Sequence, residues 1–303
     1  MARRIALRSI LIPAITLAAL FGISSRSTAQ SMAPAQNPSA QPAGAPASAP
    51  GGAMEAPPVL WIERETVAHE NMAGFIETIH KQLDLFHEHQ VVFRVLGLTS
   101  AAPDPNEFLF LIHFNSFAEM DQYEKNNAAM PADYQKSMQD LEEQEAKLSQ
   151  WHQIMAAVFR SDLSYRADAS AVAKARLLWI CQFIVPAGHL PEFESDVHFL
   201  SDVYTKAGVD DHYFMYQTVA GAESTTFLVL RPMKSLADWD HPTPDLGKFL
   251  DDAGKFRLAH IWKDQALSGP GTSVERLYVL RPDLSQTSDK FASFDPDFWH
   301  PKK

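Results

Sequence analysis

The stretches "FLFLIHFNSFAEMD" (Phe108–Asp121) and "FLVLRPMKSLADWD" (Phe227–Asp240) repeat one pattern at a constant spacing of 119 residues. Each begins with an apolar run bounded by polar residues, which predicts a strand. Ser116 in the first copy and Ser235 in the second then precede an acidic residue by three positions. That spacing is typical of the capping box at a helix start. The chain therefore encodes one strand-to-helix junction twice.

The repeat extends upstream, where "LWIERETV" (residues 60–67) matches "LWICQFIV" (residues 178–185) at a spacing of 118. Each half reads as strand, helix, strand, strand, helix, strand, with a long amphipathic helix predicted over residues 131–159 of the first half. This order is that of the ferredoxin-like, or split βαβ, unit. The predicted strands are apolar on both faces, so each sheet needs a cover on the side without helices. The predicted fold is α+β, with two tandem ferredoxin-like repeats packed sheet to sheet as a single-chain α/β barrel.

The termini predict an exported protein. Residues 1–29 combine a basic start, an apolar run and small residues at Ser27 and Ala29, as in a signal peptide. Residues 30–58 are dominated by Ala, Pro, Ser, Gln and Gly and predict a disordered linker. The first repeat then covers residues 59–174, the second residues 175–285, and residues 286–303 form an aromatic tail. We expect a periplasmic or secreted location.

Charge and cysteine content limit the classes of partner and the disulfides that this chain can form. The formal charge is −11, and removal of the leader leaves 22 basic and 37 acidic residues, a charge of −15. Such an acidic surface argues against nucleic acid as a partner. The apolar run of the leader is short for a bilayer span. Once the leader is removed, we expect no stable insertion of the chain into a membrane. Cys181 is the only cysteine, so it forms no internal disulfide. The oligomeric state stays open.

The element order, the "LW" opening strands and the "FLxL…S" junctions resemble the dimeric α/β barrel superfamily. That superfamily includes domains similar to antibiotic-biosynthesis monooxygenases (ABM), EthD-like and NIPSNAP-like domains, and the haem-binding chlorite dismutase relatives. The resemblance covers both halves, from about residue 60 to residue 285. The resemblance includes no set of catalytic residues that is specific to one family, so the catalytic residues stay unknown. No cofactor is predicted, and haem is the alternative that the chlorite dismutase relatives imply.

Polar residues among apolar strand neighbours predict a ligand pocket in the barrel. The alternative is that they lie at strand ends in water or form buried salt bridges. Two tryptophans that recur in register are read first as core and second as pocket lining. The candidate ligand-binding residues are Trp61, Glu63, Arg94, His113, Trp179, His212, Tyr216 and Arg231.

A weaker candidate is a pair of histidines at equivalent positions of the two repeats. His80 precedes Asp84 by four residues, and His198 precedes Asp202 likewise, so each pair shares a helical face. A carboxylate there can orient an imidazole, while the alternative is an exposed pair retained from the duplication. No metal site is predicted. No nucleophile elbow, phosphate loop, dinucleotide fingerprint or cysteine pair is present in the sequence, which argues against a nucleophilic hydrolase.

Three functions remain open at this point. The leading hypothesis is a barrel cavity that binds a small, partly apolar molecule. The second is an enzyme resembling cofactor-independent monooxygenases, acting on an aromatic or polyketide-like compound. The third is a structural or interaction module in which the aromatic tail and the long helix dock onto a partner.

Overall fold

The computed structural model describes residues 54–222, 225–240, 244–263 and 273–300. The predicted signal peptide and residues 30–53 of the predicted linker lie outside the described residues. Residues 54–58 of that linker pack on the body of the protein, which corrects the expectation that the linker is disordered up to residue 58. Among the helices of the described ranges, none has the length and apolar character needed to cross a membrane.

The first half supplies four strands and three helices. In chain order they are β1 (Val59–Val67), α1 (Met72–Glu88), β2 (Val95–Ala102), β3 (Glu107–Phe114), α2 (Phe117–Ala128), α3 (Ala132–Leu148) and β4 (Ser149–Phe159).

A short helix, α4 (Ala169–Ala173), joins the halves, and the second half then repeats the pattern. Its elements are β5 (Leu177–Val185), α5 (Leu190–Ala207), β6 (Phe214–Ala220), β7 (Thr225–Met233), α6 (Asp252–Lys263), β8 (Ser273–Gln286), α7 (Asp289–Ala292) and α8 (Pro296–Trp299). Single 3-10 turns lie at His69–Asn71, Ser161–Leu163, Leu236–Trp239 and Leu246–Phe249.

The eight strands close into one antiparallel barrel in the order β1, β3, β2, β8, β5, β7, β6, β4. Each half thus contributes a sheet ordered fourth, first, third, second strand, as a ferredoxin-like unit requires. The β2–β8 and β4–β6 pairs join the two sheets. The predicted α+β barrel is confirmed.

Two predicted helices end earlier than expected. The helix predicted over residues 131–159 ends at Leu148, and β4 begins at Ser149 and pairs with β1. Pairing with β1 and β6 overrides the helical pattern of this segment, because an unpaired β1 edge would break the barrel. In the second half the helix expected after Ser235 is a single 3-10 turn, and proline at position 244 follows soon after it.

The predicted capping boxes are present in both halves. Ser116 Oγ accepts a hydrogen bond from the Glu119 N–H at 3.1 Å, and the Glu119 carboxylate accepts one from the Asn115 N–H at 2.5 Å. In the second copy Ser235 Oγ accepts from the Ala237 N–H at 3.2 Å, two residues along the chain rather than three, and the Asp238 carboxylate accepts from the Lys234 N–H at 2.7 Å. The repeated serine and carboxylate are therefore a helix-start device, satisfying N–H groups that would otherwise lack a partner.

The C-terminal tail packs against the barrel. Trp299 is buried, and its indole N–H donates to the Ala173 carbonyl at 2.8 Å. The Arg176 guanidinium lies 3.9 Å from the centre of the Phe298 ring and pairs with Asp295 at 2.6 Å. The tail therefore covers one end of the barrel in the same chain.

The β2–β8 seam leaves no room for a side chain at Gly97. A Cβ atom there would lie 2.3 Å from the Leu284 carbonyl oxygen. We expect Gly97→Ala to lower the free energy of unfolding in urea by about 1–3 kcal/mol, as overpacking does. Gly74→Ala in α1 is the control, because its Cβ would lie 3.7 Å from Leu148 methyl carbons, an ordinary contact. That change should stabilise by roughly 0.5–1 kcal/mol. Equal effects of the two changes would contradict the close approach.

Candidate functional site

One end of the barrel interior contains a cavity of about 200 Å³. Its walls are inward-facing side chains from strands of both halves, among them Leu60, Leu111, Leu178 and Leu230. These leucines alternate along their strands with residues that point outward to the helices, since side chains alternate between the two faces of a sheet. The cavity is therefore a product of the barrel itself and belongs to both repeats.

The mouth of this cavity is covered by residues 54–58, here called the mouth strap. The Met54 N–H donates to the Asp168 carboxylate at 2.9 Å, and the Met54 carbonyl accepts from the Ala169 N–H at 2.8 Å. Further along, the Tyr216 hydroxyl donates to the Pro57 carbonyl at 3.0 Å. On the other side, Phe291 of α7 lines the cavity. The strap and the C-terminal tail together restrict access from solvent.

Polar groups gather on one wall of the cavity. Arg94 and His113 are adjacent there, because the His113 N–H donates to the Arg94 carbonyl at 3.1 Å. Burial disfavours the imidazolium and the Arg94 charge adds to this, so the pKa of His113 falls to about 4. The imidazole is therefore neutral at neutral pH. Burial also raises the pKa of the Tyr216 hydroxyl, which stays protonated.

The structure brings together three of the eight candidate ligand-binding residues. Arg94, His113 and Tyr216 line the barrel cavity. Whether they hold a ligand stays a prediction.

Three others project from the opposite face of their sheets. Trp61, Glu63 and Trp179 point toward the helices. Trp61 and Trp179 pack in core clusters, as their first interpretation predicts, whereas the expectation that Glu63 lines the barrel pocket is corrected. Trp61 donates its indole N–H to Glu63 at 2.9 Å, and Trp179 packs in the outer core of the second half. The physical reason is parity, since a shift of one position moves a side chain to the other face of a strand.

His212 and Arg231 lie in a groove outside the barrel, on the second half. This groove has a volume of about 820 Å³. Arg231 pairs with Asp211 at 2.8 Å, and the Nδ1 atom of His212 lies 2.5 Å from the Arg166 carbonyl oxygen. These residues are therefore held by local partners and are separate from the barrel cavity.

The repeated histidines do not form the predicted pairs. His80 Nε2 lies 3.4 Å from the carboxylate of Asp283 rather than beside Asp84. His198 and Asp202 are both exposed to solvent. Within residues 54–300 as described, no group of three or more His, Cys, Asp or Glu side chains is arranged to hold a metal ion.

A buried charge cluster, which we call the Glu107 cluster, lies toward the other end of the barrel. The Glu107 carboxylate contacts Arg64 at 2.5 Å and Arg276 at 3.6 Å, and it accepts a hydrogen bond from the Tyr278 hydroxyl. The Arg64 guanidinium also lies over the Trp151 ring at 5.0 Å. This cluster is not predictable from the sequence pattern, because Glu107 follows the polar turn "APDPN" and reads as part of it.

A second buried cluster lies between the first sheet and its helices. It contains Glu63 and Glu65 of β1 and Glu142 and Glu145 of α3, and all four side chains are buried. Burial, followed by the nearby charge of Glu145, raises the pKa of Glu63 to about 8. Burial and Glu65 likewise raise the pKa of Glu145, although Gln82 donates a hydrogen bond to it at 2.6 Å. We call this set the glutamate cluster.

Haem does not fit the residues at these places. The barrel cavity, at about 200 Å³, is smaller than the 300–1,000 Å³ or so of sites for larger ligands. The space between α1 and the sheet is only about 20 Å³. The groove beside His212 is large enough, but its walls carry charged side chains, among them Asp168, Asp211, Arg231 and Lys234. No step of the function proposed below involves haem.

No protein-family model matches the sequence, and no curated protein matches it. Solved structures with a similar fold include a candidate monooxygenase from Lactobacillus acidophilus, with 10% identity and a TM-score of 0.46 over 74% of this chain and 94% of that one. An anthrone oxidase-like protein has 11% identity and a TM-score of 0.43 over 76% and 93% of the two chains. Chlorite dismutase from Candidatus Nitrospira defluvii has 7% identity and a TM-score of 0.43 over 79% and 96%. Such distant likenesses carry no argument about activity.

Proposed function

We propose that this protein acts outside the cytoplasm and binds a small, partly apolar molecule in the barrel cavity. The observation that carries the proposal is a partly enclosed, leucine-lined cavity with Arg94 and His113 together on one wall. Apolar walls with a few convergent polar groups are the usual composition of a ligand site. A cavity of roughly 150 Å³ accepts benzene, so a cavity of about 200 Å³ suits a single-ring compound or a short chain.

Binding is a better reading of this geometry than catalysis. A cofactor-independent monooxygenase-like reaction would need a group that accepts a proton from the substrate at neutral pH. His113 has a pKa of about 4, and a group so far below the working pH is a weak general base. Resemblance to EthD-like or NIPSNAP-like domains likewise stays a prediction and adds no reaction.

The interaction-module hypothesis loses the two elements on which it depended. Trp299 of the aromatic tail is buried against the barrel. Tyr134 and Met138 of α3 are buried in the outer core, among side chains of α1. Both elements therefore use their apolar surface within the chain.

Filling the cavity should abolish binding. We expect Leu230→Trp to weaken the affinity for single-ring compounds at least tenfold, because the indole occupies the space of the ligand. Isothermal titration with benzyl alcohol and benzoate measures this. Val219→Trp is the matched control, since Val219 is 55% exposed on β6 and lies outside the cavity. Leu230→Phe serves if the larger side chain prevents folding. Unchanged affinity in a folded cavity-filling variant would refute the proposed site.

A further inference from the structure

We infer that the cavity selects an anionic ligand, a monocarboxylate with one ring or a short apolar chain, whose carboxylate pairs with Arg94. This inference rests on the proposed function and names its ligand class. The charged residues that line the cavity are Arg94 and Glu55, and Glu55 is exposed on the mouth strap. Of these two charged side chains, the positive Arg94 therefore lies on the wall next to the strands, beside the apolar interior, and the negative Glu55 lies at the mouth.

The present partner of Arg94 holds it weakly. Within the described ranges its ion pair is a single contact of 3.4 Å with Glu119, and the two side chains are 32% and 37% exposed. Exposed pairs of this kind contribute little. The other oxygen of the Glu119 carboxylate accepts from the Asn115 N–H as part of the α2 cap. Glu119 therefore has a structural role of its own and does not depend on Arg94.

A guanidinium offers five N–H donors in a planar fork that matches a carboxylate. With one donor used by Glu119, Arg94 has further donors for a ligand. A ligand carboxylate in the cavity would meet these donors in surroundings drier than those of Glu119. Charge-assisted bonds are stronger there than at an exposed surface.

His113 complements Arg94 without adding charge. The two residues are directly paired across neighbouring chain segments, because Val95 pairs with Ile112 and the His113 N–H continues the ladder to the Arg94 carbonyl. Side chains of directly paired residues lie on the same face, about 4.5–5.5 Å apart at Cβ. A neutral imidazole carries one N–H donor. It can donate to the second carboxylate oxygen or to a ring substituent of the ligand.

The same arrangement rejects cations. An amine in this cavity would lie beside the Arg94 charge and give up its hydration among leucine side chains. Like-charge contact and unpaired burial both oppose binding, which is how a site discriminates between ligands of one shape. The ranking expected for three compounds of one ring is benzoate first, benzyl alcohol second and benzylamine last.

The test is isothermal titration of the mature, full chain with these three compounds at neutral pH. We expect benzoate to bind at least tenfold more tightly than benzyl alcohol, and benzylamine not to bind detectably. Arg94→Met retains the length of the side chain and should weaken the binding of benzoate at least tenfold more than that of benzyl alcohol, which removes the preference for benzoate. Arg94→Gln tests the same point if the methionine variant is unstable. Arg281→Met is the control, since Arg281 is 29% exposed and pairs with Asp283 outside the cavity.

The outcomes separate the two proposals. If benzyl alcohol binds as tightly as benzoate to the unmodified protein, the cavity is a ligand site but the anion inference is overturned. If benzoate is preferred and that preference survives in both Arg94 variants, the role of Arg94 is overturned. Failure of all three compounds to bind overturns the proposed function together with the inference.

Discussion

Replacement of Glu107 by glutamine should destabilise the protein by about 3–5 kcal/mol, the usual cost of leaving a buried charge without its partner. Glu107 contacts Arg64 and Arg276, whose side chains are only 14% and 18% exposed. Glutamine preserves the shape of the carboxylate and can still accept from Tyr278, but it removes the negative charge. Among the described residues, two guanidinium groups would then lose the carboxylate that pairs with them inside the barrel. Urea unfolding at neutral pH measures the loss.

The control for this change is an exposed pair. Asp210→Asn removes the partner of Arg166, but the two side chains are 87% and 48% exposed, so we expect a loss below about 1 kcal/mol. A double-mutant cycle adds a sharper test. Arg64→Met should be less costly in the Glu107→Gln background than in the unmodified protein, since one unpaired charge is then removed. Additive losses would show that Arg64 and Glu107 do not stabilise each other.

The fold could be predicted because its signals are periodic and occur twice. Strand alternation and helix spacing depend on many residues, so an error at one position does not change the element. The capping serines Ser116 and Ser235 were predictable for another reason, since their bonds reach only a few residues along the chain. Local geometry of this kind is written directly in the sequence. The length of the helix before β4 could not be predicted in this way. It is limited by the pairing of β4 with β1, which is a contact between distant segments of the chain.

The candidate site was predictable only in part, because its residues depend on strand parity. Arg94 and His113 face the cavity, whereas Glu63 faces the helices, yet all three are polar residues within or beside apolar strands. The sequence places each of them on a strand but does not say which face is inside. Closure of the barrel settles that choice through pairing registers over the whole chain. The glutamate cluster was missed for the same reason, whereas Glu107 reads as part of the polar turn that precedes its strand.

The glutamate cluster makes the free energy of unfolding depend on pH. Glu63 is the member of the cluster whose contribution to this dependence we estimate. Its pKa is about 8 in the folded protein against an ordinary value of 4.5. The folded state therefore holds a proton that the unfolded state has already released between these two values. Stability contributed by this proton is complete below pH 4.5 and is lost as the pH rises to about 8. The loss is on the order of 5 kcal/mol, since each pKa unit corresponds to about 1.4 kcal/mol.

Glu63→Gln should remove this part of the pH dependence. Glutamine is neutral at every pH and its carbonyl can still accept from the Trp61 indole, which now donates to Glu63 at 2.9 Å. Near pH 5 the variant and the unmodified protein should be similarly stable, and near pH 9 the variant should be the more stable. Guanidinium unfolding at intervals from pH 4.5 to 9 measures the difference. Burial and Glu65 also raise the pKa of Glu145 of α3 in both proteins, so a smaller slope remains in the variant.

Glu77→Gln is the control for this change, because Glu77 lies on the exposed side of α1 and pairs with Lys81 at 2.7 Å. Its pKa is lowered by that lysine, so its titration lies below the window in which Glu63 acts. The control should keep the full decline in stability between pH 4.5 and 8. If Glu63→Gln kept it as well, Glu63 would have to be ionised in the folded protein at neutral pH. Burial of Glu63, and after it the neighbouring carboxyl groups of Glu145 and Glu142, argue against that state.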